Sequence, residues 1–300
     1  MHKLYILLNR YLTDKDGTGS GGVVSLVEHG HAHDSGGMYI IGDGMVDTPT
    51  LDGARVLVVG ASSGIGRAFV EHAIGMGALV CASARRSDKL VELCEEAGGG
   101  HPVVADVTVS DDCSRLVSEA TQALGGLDLV LYTAGSGTLA PVLDADADVW
   151  RRAYDVNVVG AMLVCRAALP VLSPDGLISF VSSDSAGAPR WGLGAYASSK
   201  SALDSAICSW RLEHPERRFQ RIVMGPTFPT EFGSDFGDEV LRAAFDHWVA
   251  AGVEHTLMDT GDVGRQLAEV MAVVLSHPAI DIPDVRLHPR GKPLDHKAFG

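Results

Sequence analysis

The sequence predicts an α/β fold, a single doubly wound domain around a mostly parallel central sheet, and three features predict it. From Leu51 onward, short β-branched runs alternate with longer amphipathic stretches, the order expected of βαβ units. The runs are apolar along nearly their whole length, as in parallel strands covered on both faces. A glycine-rich turn, Gly60-Ala61-Ser62-Ser63-Gly64-Ile65-Gly66, stands between the first run and the stretch that follows it.

Taken in order, strands are expected at 55–59 (RVLVV), 79–83 (LVCAS), 102–105 (PVVA), 127–132 (LDLVLY), 177–181 (LISFV) and 221–224 (RIVM), with a short last strand at 285–287. Helices fill the gaps at 66–76, 88–97, 110–124, 146–172, 196–213 and 262–275. Asp88, Ser110 and Asp262 are residue types that cap helix N-termini, and each stands where a helix is expected to start.

Residues 1–50 read differently. GTGSGG, HGHAHD and SGG occur there without sustained periodicity, so a glycine-rich, poorly ordered extension is expected before a domain at 51–300. His29, His31, His33 and Asp34 offer donors for a divalent metal, though a glycine-rich tail more often carries such residues without a metal, and no metal site is assigned. Met45 precedes a short lead into the first strand and is an alternative start. The apolar stretch at 4–8 is too short to span a membrane, and neither a signal peptide nor an anchor is read.

At 300 residues, with 46% hydrophobic and 21% charged, the chain suffices for one large core. A net charge of −14 repels phosphate backbones and anionic lipid, so neither nucleic acid nor a membrane is expected as a partner. An anionic cofactor then needs a local basic patch. The five cysteines lack CxxC spacing, which points away from zinc and disulfides and toward a reducing cytoplasm.

The glycine turn supplies small residues where a backbone must approach a pyrophosphate at a positive helix end. Its alternative role is simply to pack a helix on a strand. After the second strand, where a ribose-binding carboxylate would mark NAD(H), the chain has Ala84, Arg85 and Arg86. An arginine such as Arg85 pairs with a 2′-phosphate, so NADP(H) is preferred, with NAD(H) as the alternative. Arg67 and Ser83 are positioned in sequence to face the same pocket, while solvated charge at a helix start is the competing explanation for the arginine pair.

Tyr196 and Lys200 stand four residues apart, on one face of an expected helix. A nearby ammonium stabilises phenolate and draws the phenol toward the working range of an acid/base catalyst. Ser183 lies at the end of an expected strand, where its hydroxyl can bond a substrate carbonyl or alkoxide. An exposed helical face with an interior tyrosine is the competing reading of the pair.

In order and context these motifs resemble the short-chain dehydrogenase/reductase family over about residues 51–290. The resemblance implies a Rossmann-type domain and catalysis by Ser183, Tyr196 and Lys200, with Asn157 organising a proton relay as the fourth catalytic residue. It implies a cofactor site made of Gly60, Ser62, Ser63, Gly64, Ile65, Gly66, Arg85, Asp106, Ala134, Gly135, Tyr196, Lys200 and Thr230. Asp106 would contact adenine, or alternatively cap the next turn, and Thr230 would lie near the nicotinamide carboxamide. A small alcohol or carbonyl substrate and a homodimer or homotetramer are also implied. The alternatives are a non-catalytic NADP(H)-binding regulator and a nucleotide-sugar epimerase or dehydratase, for which the region after Thr230 leaves little room.

Three departures from the family pattern stand out. Val59 replaces a threonine, Tyr132-Thr133-Ala134-Gly135 replaces Asn-Asn-Ala-Gly, and Gly225-Pro226 reverses a Pro-Gly order. Residues 231–251 fall where the family places its variable substrate lid. Phe232, Phe236, Phe245 and Trp248 suit either an apolar substrate or the lid's own packing.

Overall fold

A computed structural model describes residues 49–232, 236–253 and 256–290; the histidine cluster and Met45 lie outside them. Seven strands form one sheet: β1 Arg55–Val59, β2 Leu79–Ala84, β3 His101–Val104, β4 Leu127–Tyr132, β5 Leu172–Ser183, β6 Arg218–Met224 and β9 Asp284–Leu287, in the order β3-β2-β1-β4-β5-β6-β9. Every pairing is parallel. A second, two-stranded parallel sheet pairs β7 Thr227–Phe228 with β8 Met258–Asp259.

Helices α1 Gly64–Gly75, α2 Ser87–Glu96, α3 Ser110–Leu124, α4 Ala147–Tyr154, α5 Ala161–Ala168, α6 Gly194–Glu213, α7 Asp238–Ala250 and α8 Thr260–Ser276 connect the strands. One core joins Phe69, Val70, Leu90 and Leu93 to Leu267 and Met271, and the other joins Leu116, Val164, Leu203 and Ile207. The sheet contributes to both, with Val56 and Val58 in the first and Leu57 and Val59 in the second, which is why its strands are apolar in continuous runs. Gly264 lets α8 lie on α1, since a Cβ there would sit 2.6 Å from the Ala68 side chain.

The expected helix at 146–172 is broken. Between α4 and α5, Asp155–Gly160 forms a π-helical turn. The buried Tyr132 hydroxyl donates to Val156 O at 2.6 Å, competing for a helical carbonyl, and Gly160 leaves room for that hydroxyl. Pro170 has no N–H with which to extend α5, and β5 begins at Leu172, well before the expected 177. The expected caps also shift. Arg86 and Val109 precede α2 and α3 without side-chain cap bonds, while Asp259 caps α8 by accepting from Asp262 N–H.

Register aligns the carboxyl ends of the strands. Val59 lies opposite both Ser83 and Tyr132, and Ser183 lies opposite Met224. The strand order reverses direction between β1 and β4, where doubly wound sheets open a ligand crevice.

Candidate active site

The glycine turn sits at this crevice. Gly60 and Ala61 N–H donate to Ser83 O at 2.8 and 2.9 Å, and Thr133 and Ala134 N–H donate to Val59 O at 2.8 and 2.9 Å. Gly60 has φ +99°, and a Cβ on it would meet Ala134 N at 2.5 Å. The same crowding excludes a side chain at Gly66, whose Cβ would stand 2.4 Å from Gly60 O. Thr133 Oγ1 donates to Val59 O at 2.9 Å, tying β4 to β1 at the site of two departures from the family pattern.

Ser63 precedes the first turn of α1, and Gly64, Ile65 and Gly66 begin the helix, so N–H groups without intrahelical partners end at the crevice. Arg86 Nη2 donates to Ser62 Oγ at 2.8 Å and Ser63 Oγ at 3.1 Å. Arg85 is exposed and makes no ion pair or hydrogen bond among the described residues. The basic residue on the turn is therefore Arg86, which sequence reasoning left out of the site. Arg67 turns away to Glu71, Glu92 and Glu96, and the Ser83 hydroxyl is buried without a partner. Arg67 thus does not join the pocket as expected. Asp106 Oδ1 accepts from Thr108 N–H at 2.9 Å and Thr108 Oγ1 at 2.7 Å, closing the turn after β3.

The catalytic candidates converge. Ser183 ends β5, its Oγ accepting from Ser185 N–H at 3.1 Å and donating to Asp184 Oδ1 at 3.4 Å, and it is a neighbour that draws the Tyr196 phenol pKa down. Lys200, buried one turn along α6, donates from Nζ to Val181 O at 2.7 Å and lies 5.9 Å from the Tyr196 ring centroid. Asn157 is fully buried on the π-helical turn. Its Oδ1 accepts from Ser136 N–H at 2.8 Å, while Nδ2 donates to Ser136 O at 2.9 Å and Ser199 Oγ at 2.8 Å. A Cβ on Gly135 would stand 3.6 Å from Asn157 Oδ1 and 3.8 Å from Lys200 Nζ, so the glycine backbone borders both groups.

Burial sets the protonation states. It pushes the Tyr196 phenol up to about 12, against the lowering effect of the neighbouring Ser183 hydroxyl, and the Lys200 ammonium down to about 8. The expected fall in the Tyr196 pKa is thus reversed, because desolvation of the phenolate outweighs the neighbouring hydroxyl. At neutral pH the phenol holds its proton.

Beside Ser183, the buried Asp184 pairs with Arg190 at 2.6 Å, a contact without an earlier sequence signal. Aromatic groups cover the outer side. Phe232 lies 4.8 Å from the Tyr196 ring, Phe236 packs on Phe232 at 5.6 Å, and Trp191 stacks on His247 of α7 at 4.5 Å. Thr230 approaches the glycine turn, its Cβ 3.6 Å from where a Gly64 Cβ would be. The reversed Gly225-Pro226 order has a local cause: a Cβ at 225 would meet His288 at 2.9 Å and Leu287 O at 3.2 Å.

The turn, its basic neighbour and the buried lysine suit a dinucleotide. Gly60 keeps the backbone open to close approach, the start of α1 would face a bound anion, and Arg86 with Ser62 and Ser63 offers charge-assisted donors.

A family model described as short chain dehydrogenase matches residues 54–239. The chain is 37% identical over 206 residues to a short chain dehydrogenase of Pseudocercospora fijiensis, covering 66% of each. It is 32% identical over 182 residues to a glucose 1-dehydrogenase of Gluconobacter oxydans, covering 58% of this chain and 68% of that one. The match thus spans about two thirds of these relatives' length. Among solved structures, the alcohol dehydrogenase of Thermococcus sibiricus complexed with 5-hydroxy-NADP shares the fold, with a TM-score of 0.66, 20% identity, and coverage of 78% of this chain and 96% of that one. The protein is an enzyme of the short-chain dehydrogenase/reductase family of oxidoreductases.

Proposed function

We propose that the enzyme interconverts an alcohol and a ketone or aldehyde using NADP(H), with Tyr196 as general acid/base. The observation that carries this reading is a protonated, half-buried phenol beside the Ser183 hydroxyl, one helical turn from a buried ammonium. When bound, a nicotinamide dinucleotide supplies the hydride chemistry.

Ser183 holds the substrate oxygen beside the phenol. Tyr196 gives its proton to that oxygen in reduction and takes it back in oxidation. Lys200 balances the phenolate formed in the first direction and holds the ribose hydroxyls, and Asn157 fixes the Ser136 backbone beside them as part of a proton relay. Gly60, Ser62, Ser63, Gly64, Ile65 and Gly66 receive the pyrophosphate, Asp106 the adenine, and Ala134 and Gly135 the cofactor face. Thr230 takes the carboxamide. Arg86, with Arg85 at the rim, receives the 2′-phosphate, these two arginines standing in sequence where a carboxylate would favour a free ribose.

Phe232, Phe236 and Trp191 suit an apolar or partly aromatic substrate. Val159 and Met162, exposed on 155–168, support assembly as a homodimer or homotetramer through that helix, which light scattering tests. The five free cysteines are in keeping with a reducing cytoplasm, and among the described residues no helix is long and apolar enough to cross a membrane.

NADPH oxidation across a panel of ketones and aldehydes tests the reaction. Wild type should turn over at least one apolar carbonyl, and Tyr196→Phe should fall by about a hundredfold or more at unchanged NADPH affinity. Equal turnover by the two forms removes Tyr196 from the chemistry.

A further inference from the structure

Glu231 follows Thr230, and its carboxylate lies among the groups assigned above to the cofactor phosphate. One oxygen is 2.6 Å from Arg86 Nη2 and the other 3.7 Å from Lys89 Nζ. Arg86 therefore holds the two serine hydroxyls of the turn and an anion of its own chain at once. Beside Arg86 the carboxyl is held below the usual glutamate range, so it is ionised at neutral pH. Carboxylate and phosphate draw on the same charge-assisted donors, and one Arg86–Lys89 pair cannot serve both fully.

The neighbours of Glu231 extend the contact. Thr230 rests against Gly64, and Phe232 lies over Tyr196 and fills the space beside Gly137, where a Cβ would meet its ring at 2.4 Å. Three consecutive residues thus touch both the anion end and the proton-transfer end of the crevice.

We propose that Glu231 is a specificity-determining residue, an internal anion that competes with the cofactor's 2′-phosphate for Arg86 and Lys89. The proposal rests on the assignment of the 2′-phosphate to Arg86. A phosphorylated dinucleotide must displace the carboxylate, whereas an unphosphorylated one leaves the ion pair in place. Glu231 consequently narrows the preference for NADP(H) that the arginines create.

Equilibrium titration with NADPH and NADH, followed by cofactor fluorescence, tests this on wild type, Glu231→Gln and Arg86→Ala. Glu231→Gln should bind NADPH about fivefold more tightly and NADH within about twofold of wild type. Adenosine 2′,5′-bisphosphate, used as a competitor, should gain like NADPH, and adenosine 5′-monophosphate should not. Unchanged or weaker NADPH binding in Glu231→Gln overturns the proposal, as does an equal gain for both cofactors, which would make the segment a steric cover. The Arg86→Ala arm separates the two levels. If it weakens NADPH while Glu231→Gln changes nothing, only the role of Glu231 falls. If it leaves NADPH affinity intact, the phosphate does not sit on Arg86 and both readings fall.

Discussion

The Tyr132 hydroxyl, sealed in the core at the end of β4, donates to Val156 O at 2.6 Å and so reaches across to the helical turn that carries Asn157. That turn is π-helical, and Asn157 in turn clasps both backbone groups of Ser136. The position of a proposed relay residue therefore depends on a tyrosine that touches no reacting atom. Tyr132→Phe keeps the ring and removes the hydroxyl, leaving the half-buried Val156 O without this donor. Stability should fall by about 1–2 kcal/mol in urea denaturation. The kcat should fall with NADPH affinity little changed. An unchanged kcat at that stability loss would confine Tyr132 to packing.

The contrast with the sequence is instructive at this point. Tyr196, Lys200 and Ser183 were legible because helix pitch and strand ends are local properties, and the strands were legible because burial on both faces demands unbroken apolar runs. The π-helical turn was not, since its cause is a side chain more than twenty positions away. The early start of β5 was hidden by Ser173-Pro174-Asp175-Gly176, which reads as a loop although Leu172 pairs with Leu127. Arg85 and Arg86 are indistinguishable as letters, and only the path of the chain after β2 decides which meets Ser62. The caps failed for a related reason: a chain may enter a helix through Arg86 or Val109 when other contacts hold its first turn.

That difference between adjacent arginines is measurable. Arg86 is tied to the glycine turn, and Arg85 is exposed. Arg86→Ala should raise the KM for NADPH by about tenfold, the scale of one charge-assisted phosphate contact. Arg85→Ala should raise it by less than about threefold, as expected of a rim charge in water. Steady-state kinetics with NADPH and NADH decides the order, and a larger effect from Arg85 reverses the assignment.

Lys200 makes a prediction about pH. Its ammonium falls from an ordinary 10.5 to about 8 on folding because burial disfavours the charge. Between those values the unfolded chain binds more protons than the folded one, so this residue's contribution to stability rises with pH from about 8 to 10.5. Below pH 8 the buried charge is a constant cost of about 3 kcal/mol. The buried thiols and Tyr196 act oppositely, since they are held protonated in the fold and their contribution is lost at alkaline pH. Subtracting a Lys200→Met variant isolates the lysine. The stability of wild type minus variant, from urea midpoints, should increase between pH 8 and 10; a flat difference would show that the ammonium is not desolvated.

The reversed Gly225-Pro226 order is a packing requirement, and swapping it back tests that. Gly225 N–H donates to Leu287 O at 2.8 Å, joining the end of β6 to β9, and its missing side chain leaves room for His288 and Pro289. In Gly225→Pro/Pro226→Gly the proline has no N–H to give, and its ring falls where a Cβ already meets His288 at 2.9 Å. Losing the bond and crowding the strand end should together cost about 2 kcal/mol or more. Gly225→Ala carries the crowding alone and should cost less. The melting temperature of both variants checks the order. If the swap were neutral, the end of β9 would have to yield freely, and the reversed order would need a cause in the loop toward Thr230 instead.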